Sequence, residues 1–242
     1  YSKNQSNIAN STVNLNSGYS IKGTQNSQYA IGQENYNNIP GGISLNNDGD
    51  INLTGSNTTG IYGSYAGINN NGTIKVGDNG AGIFSSNSST TVNTGDINFG
   101  NGSIGIYGVN NKLGTKVSST YDQINITMNS GTITATGATE GYGIYANNTK
   151  GFGNSKVNFT AGLIDMSGIS ATDRDKAVAV TVRDTTLTSS GDINTAENGI
   201  AFYIDNGKTS ITNGTINLDK DNSIGLALQD VQGSNFTGTG AT

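Results

Sequence analysis

The sequence predicts an all-β fold, a right-handed parallel β-helix with three strands per coil and about eight to nine coils. Three observations lead there. A phrase recurs at a fixed interval: Gly49-Asp50-Ile51-Asn52-Leu53 followed by Gly60-Ile61-Tyr62-Gly63, then Gly72-Thr73-Ile74-Lys75-Val76 followed by Gly82-Ile83-Phe84-Ser85, then Gly95-Asp96-Ile97-Asn98-Phe99 followed by Gly105-Ile106-Tyr107-Gly108. Its leading isoleucines stand at intervals of 23 residues, and a period of this size marks a stacked-repeat architecture. Each unit is made of short apolar alternations broken by Gly and Asn, which read as strands and turns. Composition agrees: 36 Gly, one Pro and only 12% charged residues suit tight turns, near-complete ladder donation and uncharged polar faces. A hydrophobic content of 32% is lean for a globule, yet it suffices where one thin apolar column is the whole core.

The first strand of each coil follows Ile21, Ile51, Ile74, Ile97, Ile133, Ile164, Ile193 and Ile216, with spacings of 30, 23, 23, 36, 31, 29 and 23 residues. The second, about ten residues later, centres on Ile31, Ile61, Ile83, Ile106, Ile144, Val180 (or Val178), Phe202 and Leu226. The third precedes each first strand by five or six residues, through Leu15, Leu45, Ile68, Val92, Met128, Phe159, Leu187 and Ile211. Stacked coils give three parallel sheets with rungs about 4.8 Å apart, and the usual hand of parallel crossovers makes the helix right-handed. Period-2 alternation turns Ile51 and Leu53, Ile133 and Ala135, and Ile216 and Leu218 inward. Asn52, Thr134 and Asn217 then face out.

Residues 1–242 read as one repeat segment. The pattern already runs at Leu15 and restarts at Phe236, which is expected of a piece of a longer array. Insertions of approximately Gly32–Gly42, Gly108–Ile124 and Asn147–Ser155 collect at one corner. Such clustering fits a binding edge, and it equally fits loops that tolerate length cheaply. A fourth insertion, Gly168–Lys176, lies at another corner and holds Asp173, Arg174, Asp175 and Lys176.

The residues exclude several chemistries. There is no Cys, hence no disulfide and no thiolate metal site, and no His, the commonest general base and zinc ligand. A Ser-His-Asp triad therefore cannot form. A net charge of −5 does not suit a nucleic-acid surface, and no apolar run approaches membrane-spanning length. Asp50, Asp96 and Asp192 repeat in a Gly-Asp-Ile corner and read as turn formers, not as the facing carboxylates of a glycosidase. No catalytic residue, cofactor or metal site is expected. The outward column Lys22, Asn52, Lys75, Asn98, Thr134, Asp165, Asn194, Asn217 is too mixed for a lattice-matching ice surface.

One outward column carries a distinct signal. If Ile106 and Ile144 point in, then Tyr62, Phe84, Tyr107, Tyr145 and Tyr203 form an aromatic stripe flanked by Gly and Ala. Such a stripe can stack on sugars or anchor a protein, or it can be a ring ladder that steadies the sheet. If the segment binds, Asn110, Asn111 and Lys112 of the long loop are expected to add adjustable polar contacts.

The recurring Asn-x-Gly-x-Ile-x-[Leu/Val/Phe] followed by Gly-Ile-[Tyr/Phe]-[Gly/Ala/Ser], from about Leu15 onward, resembles the passenger domains of type V (autotransporter) secreted proteins, most of all the large fusobacterial outer-membrane adhesins. The resemblance implies a non-enzymatic stalk at the extracellular face of the outer membrane. It would attach to host or bacterial partners through surface glycans or receptor proteins, with a translocator barrel elsewhere in the full-length chain. No functional residue carries over, because the shared motif is structural. The alternative from another class is a polysaccharide-active β-helix enzyme, a lyase or hydrolase.

Overall fold

The structure is a computed structural model that describes residues 2–4, 11–35, 42–87, 89–110, 123–149, 155–173 and 175–230. Every strand pairs in parallel with the strand one coil above or below it. The result is three sheets, of eight strands (sheet 1, the leading-Ile strands), nine strands (sheet 2, the Gly-Ile-Tyr strands) and eight strands (sheet 3). This is a parallel β-helix of about eight coils. Sheet 1 runs from Ser20–Gly23 to Ile216–Asn217 and sheet 3 from Ser11–Leu15 to Lys208–Ile211. Sheet 2 comprises Ser2–Asn4, Tyr29–Asn35, Thr59–Ser64, Ala81–Ser86, Ser103–Asn110, Gly141–Asn148, Ala177–Arg183, Ile200–Asp205 and Ile224–Gln229. The sequence-proposed ninth turn at Asn235–Gly238 lies outside the described residues.

The first two columns stack in the expected register. Ile51 lies against Ile74, Ile74 against Ile97, Ile97 against Ile133 and Ile133 against Ile164. In sheet 2 the column runs Ile31, Ile61, Ile83, Ile106, Ile144, Val180, Phe202, Leu226. From Ile51 to Ile193 the isoleucines of sheet 1 are essentially solvent-free, each contributing about 1.5–3 kcal/mol relative to an exposed side chain. Leu218 departs from expectation: it is 47% exposed, because the last strand of sheet 1 ends at Asn217 and Leu218 is not in the ladder.

The Gly of each Gly-Ile-Tyr phrase has a packing cause. A Cβ on Gly105 would sit 2.5 Å from Ile133 Cγ2 and 2.6 Å from the Gly143 carbonyl oxygen, so the isoleucine of sheet 1 closes against bare backbone. The corner residues have a different one. Asn57, Asn79, Asn198 and Asn222 adopt positive φ before sheet 2, a conformation asparagine tolerates better than other side chains.

Sheet 3 corrects the sequence-based column, which merged two inward rows. One row is Val13, Leu45, Ile68, Thr91, Ile126, Val157, Leu187, Thr209. The other is Leu15, Asn47, Asn70, Asn93, Met128, Phe159, Ser189, Ile211. Val92 therefore faces outward, between buried Thr91 and Asn93. Three asparagines lie inside because each completes the next: Asn47 Nδ2 donates to Asn70 Oδ1 (2.7 Å) and Asn70 Nδ2 to Asn93 Oδ1 (2.7 Å). Asn93 Nδ2 ends the chain on the Gly95 carbonyl (2.9 Å). Satisfied in this way, buried amides cost little.

The corners also match. Residues 36–41, 111–122 and 150–154 all fall between a strand of sheet 2 and the following strand of sheet 3. The insertions there are shorter than expected, since Gly32–Asn35, Gly108–Asn110 and Asn147–Asn148 continue the strands. The stretch from Gly168 to Lys176 joins sheet 1 to sheet 2, at the other corner.

Candidate functional site

The aromatic stripe exists on the outer face of sheet 2. Tyr62, Phe84, Tyr107 and Tyr145 occupy one register position on four consecutive rungs, each half-buried. Their rings touch in sequence. Tyr62 meets Phe84 edge to face at 5.4 Å, Phe84 stacks on Tyr107 at 4.9 Å with an 11° interplanar angle, and Tyr107 meets Tyr145 edge to face at 5.6 Å. Two further rings join: Tyr29 against Tyr62 (5.9 Å) and Tyr142 against Tyr145 (5.4 Å). These distances lie in the range where aromatic pairs attract beyond their buried area. Burial, and secondarily Tyr145, raises the Tyr107 phenol above its ordinary value.

Three expectations change. The small residues after each ring are not an exposed bed; Gly63 and Gly108 turn inward, where a Cβ would meet Ile68 and Ile124. Asn110 is fully buried as the last residue of its strand, its Nδ2 directed at Asn148 Oδ1 (3.4 Å), so it offers no loop contact. Asn111 and Lys112 lie outside the described residues. Tyr203 belongs to the same register column but does not join the ring contacts.

Its separation has one cause. The rung between Tyr145 and Tyr203 carries Thr181. Where the ring is missing, a cavity of about 180 Å³ opens. Tyr145 and Tyr142 bound one side and Tyr203 the other, with Val178, Ile200 and Thr181 beneath. Asp175 and Arg183 supply its charges. Tyr142 is tied down by donating its hydroxyl to the Asp175 carbonyl (2.9 Å), and burial, then Asp175, raises its phenol above the ordinary value. Arg183 lies 6.0 Å over the Tyr203 ring, with Nε 3.5 Å from Asp205 Oδ2. Tyr203 donates its hydroxyl to Gln229 Oε1. Thr181 is 2% exposed and its Oγ1 has no hydrogen-bond partner in the protein. A second cavity, about 230 Å³, lies at the first coil between residues of the inner columns such as Val13, Leu15, Ile21 and Ile31.

Three of the carboxylates hold corners of the scaffold. Asp96 Oδ1 accepts from the Thr132 backbone N–H (2.8 Å) and Asp192 Oδ1 from that of Thr215 (2.7 Å), each fastening the corner of the next coil. Asp165 holds its own turn through Ser167. Among the described residues no three His, Cys, Asp or Glu side chains gather where they could hold a metal ion. Sequence reasoning missed Tyr142, Thr181 and Arg183. The signal was present: aligning Val180 on Ile144 places Thr181 at the position of Tyr145.

Comparison with family models, with curated proteins and with solved structures finds no match to this chain.

Proposed function

We propose that this chain is a non-enzymatic segment of a type V secreted adhesin, displayed at the cell surface, that attaches to glycans or receptor proteins through the outer face of sheet 2. The observation that carries this reading is the concentration of half-buried rings on one face of a rod. Tyr29, Tyr62, Phe84, Tyr107, Tyr145 and Tyr142 form an unbroken row, followed by the cavity at Thr181 and by Tyr203. Tyrosine presents large amphipathic area at low conformational cost, which suits recognition. A parallel β-helix supports such a face because successive rungs hold the rings at a constant spacing, and few charges interrupt it.

The test has two arms. Beads coated with the chain are offered to host cells, bacterial cells and immobilised glycans, and the soluble chain is incubated with acidic and neutral polysaccharides. Adhesion that depends weakly on salt, with no new reducing or unsaturated chain ends, is the expected result. Release of such ends would replace this reading with a polysaccharide-active enzyme, and a lack of adhesion to every surface would remove it.

A further inference from the structure

Resting on the adhesin reading, we propose that the cavity over Thr181 is a binding site for a single neutral hexopyranose unit of a surface glycan. Size points to one ring. At about 180 Å³ it falls below the roughly 300–1,000 Å³ of pockets for drug-sized ligands. Tyr145 and Tyr203 stand two rungs apart, roughly 9–10 Å, so a puckered ring placed between them lies against Tyr145 on one side and against Tyr203 with its Arg183 on the other. A pyranose has apolar C–H faces that suit such walls and a rim of hydroxyls that needs polar partners.

The polar partners are present at the edges. Arg183 offers donors beyond the Nε directed at Asp205, and the Asp175 carboxylate offers acceptors. Thr181, 2% exposed, closes the floor between the two walls; its short side chain sets the depth of the cavity and leaves the hydrogen bonding to the edges. Among the described residues of the lining, one cation and one carboxylate balance each other. That balance fits a polyol and disfavours a uronic or sialic acid, whose carboxylate would meet Asp175. The cavity arises because a ring is absent from a column that otherwise carries one on four consecutive rungs. Restoring the ring should therefore close the site without disturbing the fold.

The experiment titrates the chain with methyl glucopyranoside, galactopyranoside and mannopyranoside, followed by NMR of the Thr181 methyl and the Tyr145 and Tyr203 rings. An array of neutral and acidic oligosaccharides is probed in parallel. A neutral hexoside is expected to shift those signals. Thr181→Tyr should weaken binding by about tenfold or more, the scale of losing an anchor pocket, with an unchanged or higher melting temperature. Thr181→Ser should bind within about twofold of the parent, since the volume and the hydroxyl are kept. Tyr203→Ala, which removes one wall and leaves the floor, should weaken binding as well and guards against misfolding of the first variant. A folded Thr181→Tyr chain that binds as the parent does overturns the site, as does preference for acidic glycans or competition by aromatic or arginine-bearing peptides alone. If the parent adheres to surfaces and Thr181→Tyr adheres equally, the cavity proposal falls and the adhesin reading stands. If the parent neither adheres nor binds any glycan, both fall.

Discussion

From Tyr62 to Tyr145 every rung of one column carries a ring, and the rings seal against one another; from Tyr145 to Tyr203 the rung between carries Thr181, and the face opens. The backbone register is the same in both regions, and the inner column beneath them is apolar in both, Ile83, Ile106 and Ile144 in one and Val180 and Phe202 in the other. The difference teaches that a solenoid separates support from display. The inward residue of a rung sets stability, and its outward neighbour can be a brick in a ladder or the floor of a cavity without altering the coil.

The separation breaks most severely from the inside. Replacing Ile97 by Asp puts an unpaired charge into the solvent-free column of sheet 1 and should cost about 4–5 kcal/mol or more, unfolding adjacent coils. Asn98→Asp, one residue away on the outward side, should stay within about 0.5 kcal/mol. Comparable thermal melts for the two variants would show that the faces are assigned wrongly. Next in size is Asn70→Ala. It deletes both neighbours' partners in the buried amide chain, leaving Asn47 Nδ2 and Asn93 Oδ1 unmatched, at about 1–3 kcal/mol for each orphaned group. Urea denaturation reads this loss; a cost under about 0.5 kcal/mol would mean that water replaces the amide.

The two outer regions themselves are told apart by a gentler pair. Tyr107→Ser removes two ring contacts, each worth about 0.5–1.5 kcal/mol beyond burial, whereas Tyr203 makes no ring–ring contact of that kind. The melting temperature should therefore drop more for Tyr107→Ser than for Tyr203→Ser. The smallest effect is in pH. The folded state raises the Tyr107 and Tyr142 phenols above 10.0 by burial first. Below that value both states hold the proton, and the melting temperature should be insensitive to these groups. As pH climbs past it, the unfolded chain ionises first and the stabilisation is lost through the folded value. Thermal melts across the alkaline range should show this decline, less pronounced in Tyr107→Phe.

Two of the three sheets are legible in the sequence because their inward residues are apolar and recur at fixed offsets beside Gly and an aromatic. Sheet 3 is only half legible. Asn47, Asn70 and Asn93 face inward against every hydrophobicity rule, and they can do so because neighbouring coils and the Gly95 carbonyl supply matching groups; Thr91 is buried beside them with its Oγ1 unmatched in the protein. That information lies in neighbouring rungs and not in any local pattern. The candidate site divides in the same way. The stripe is visible as Gly-Ile-Tyr, but Ala177–Arg183 reads as an ordinary apolar strand. Thr181 acquires meaning only when its register places it between Tyr145 and Tyr203. Asn110 was misplaced because a strand that runs on into its corner looks, in sequence, like the start of a loop.

Adhesion measured side by side for Phe84→Ser and Thr181→Tyr tests the division of labour most directly. Phe84→Ser damages the sealed ladder three rungs from the cavity, and Thr181→Tyr fills the cavity while extending the ladder. With both variants shown to be folded by circular dichroism, the account predicts that Phe84→Ser, which leaves the Tyr145 and Tyr203 walls in place, weakens adhesion to glycan-bearing surfaces only in part and that Thr181→Tyr abolishes it. Loss of adhesion in Phe84→Ser with full adhesion in Thr181→Tyr would contradict it, and would place the contact on the ladder.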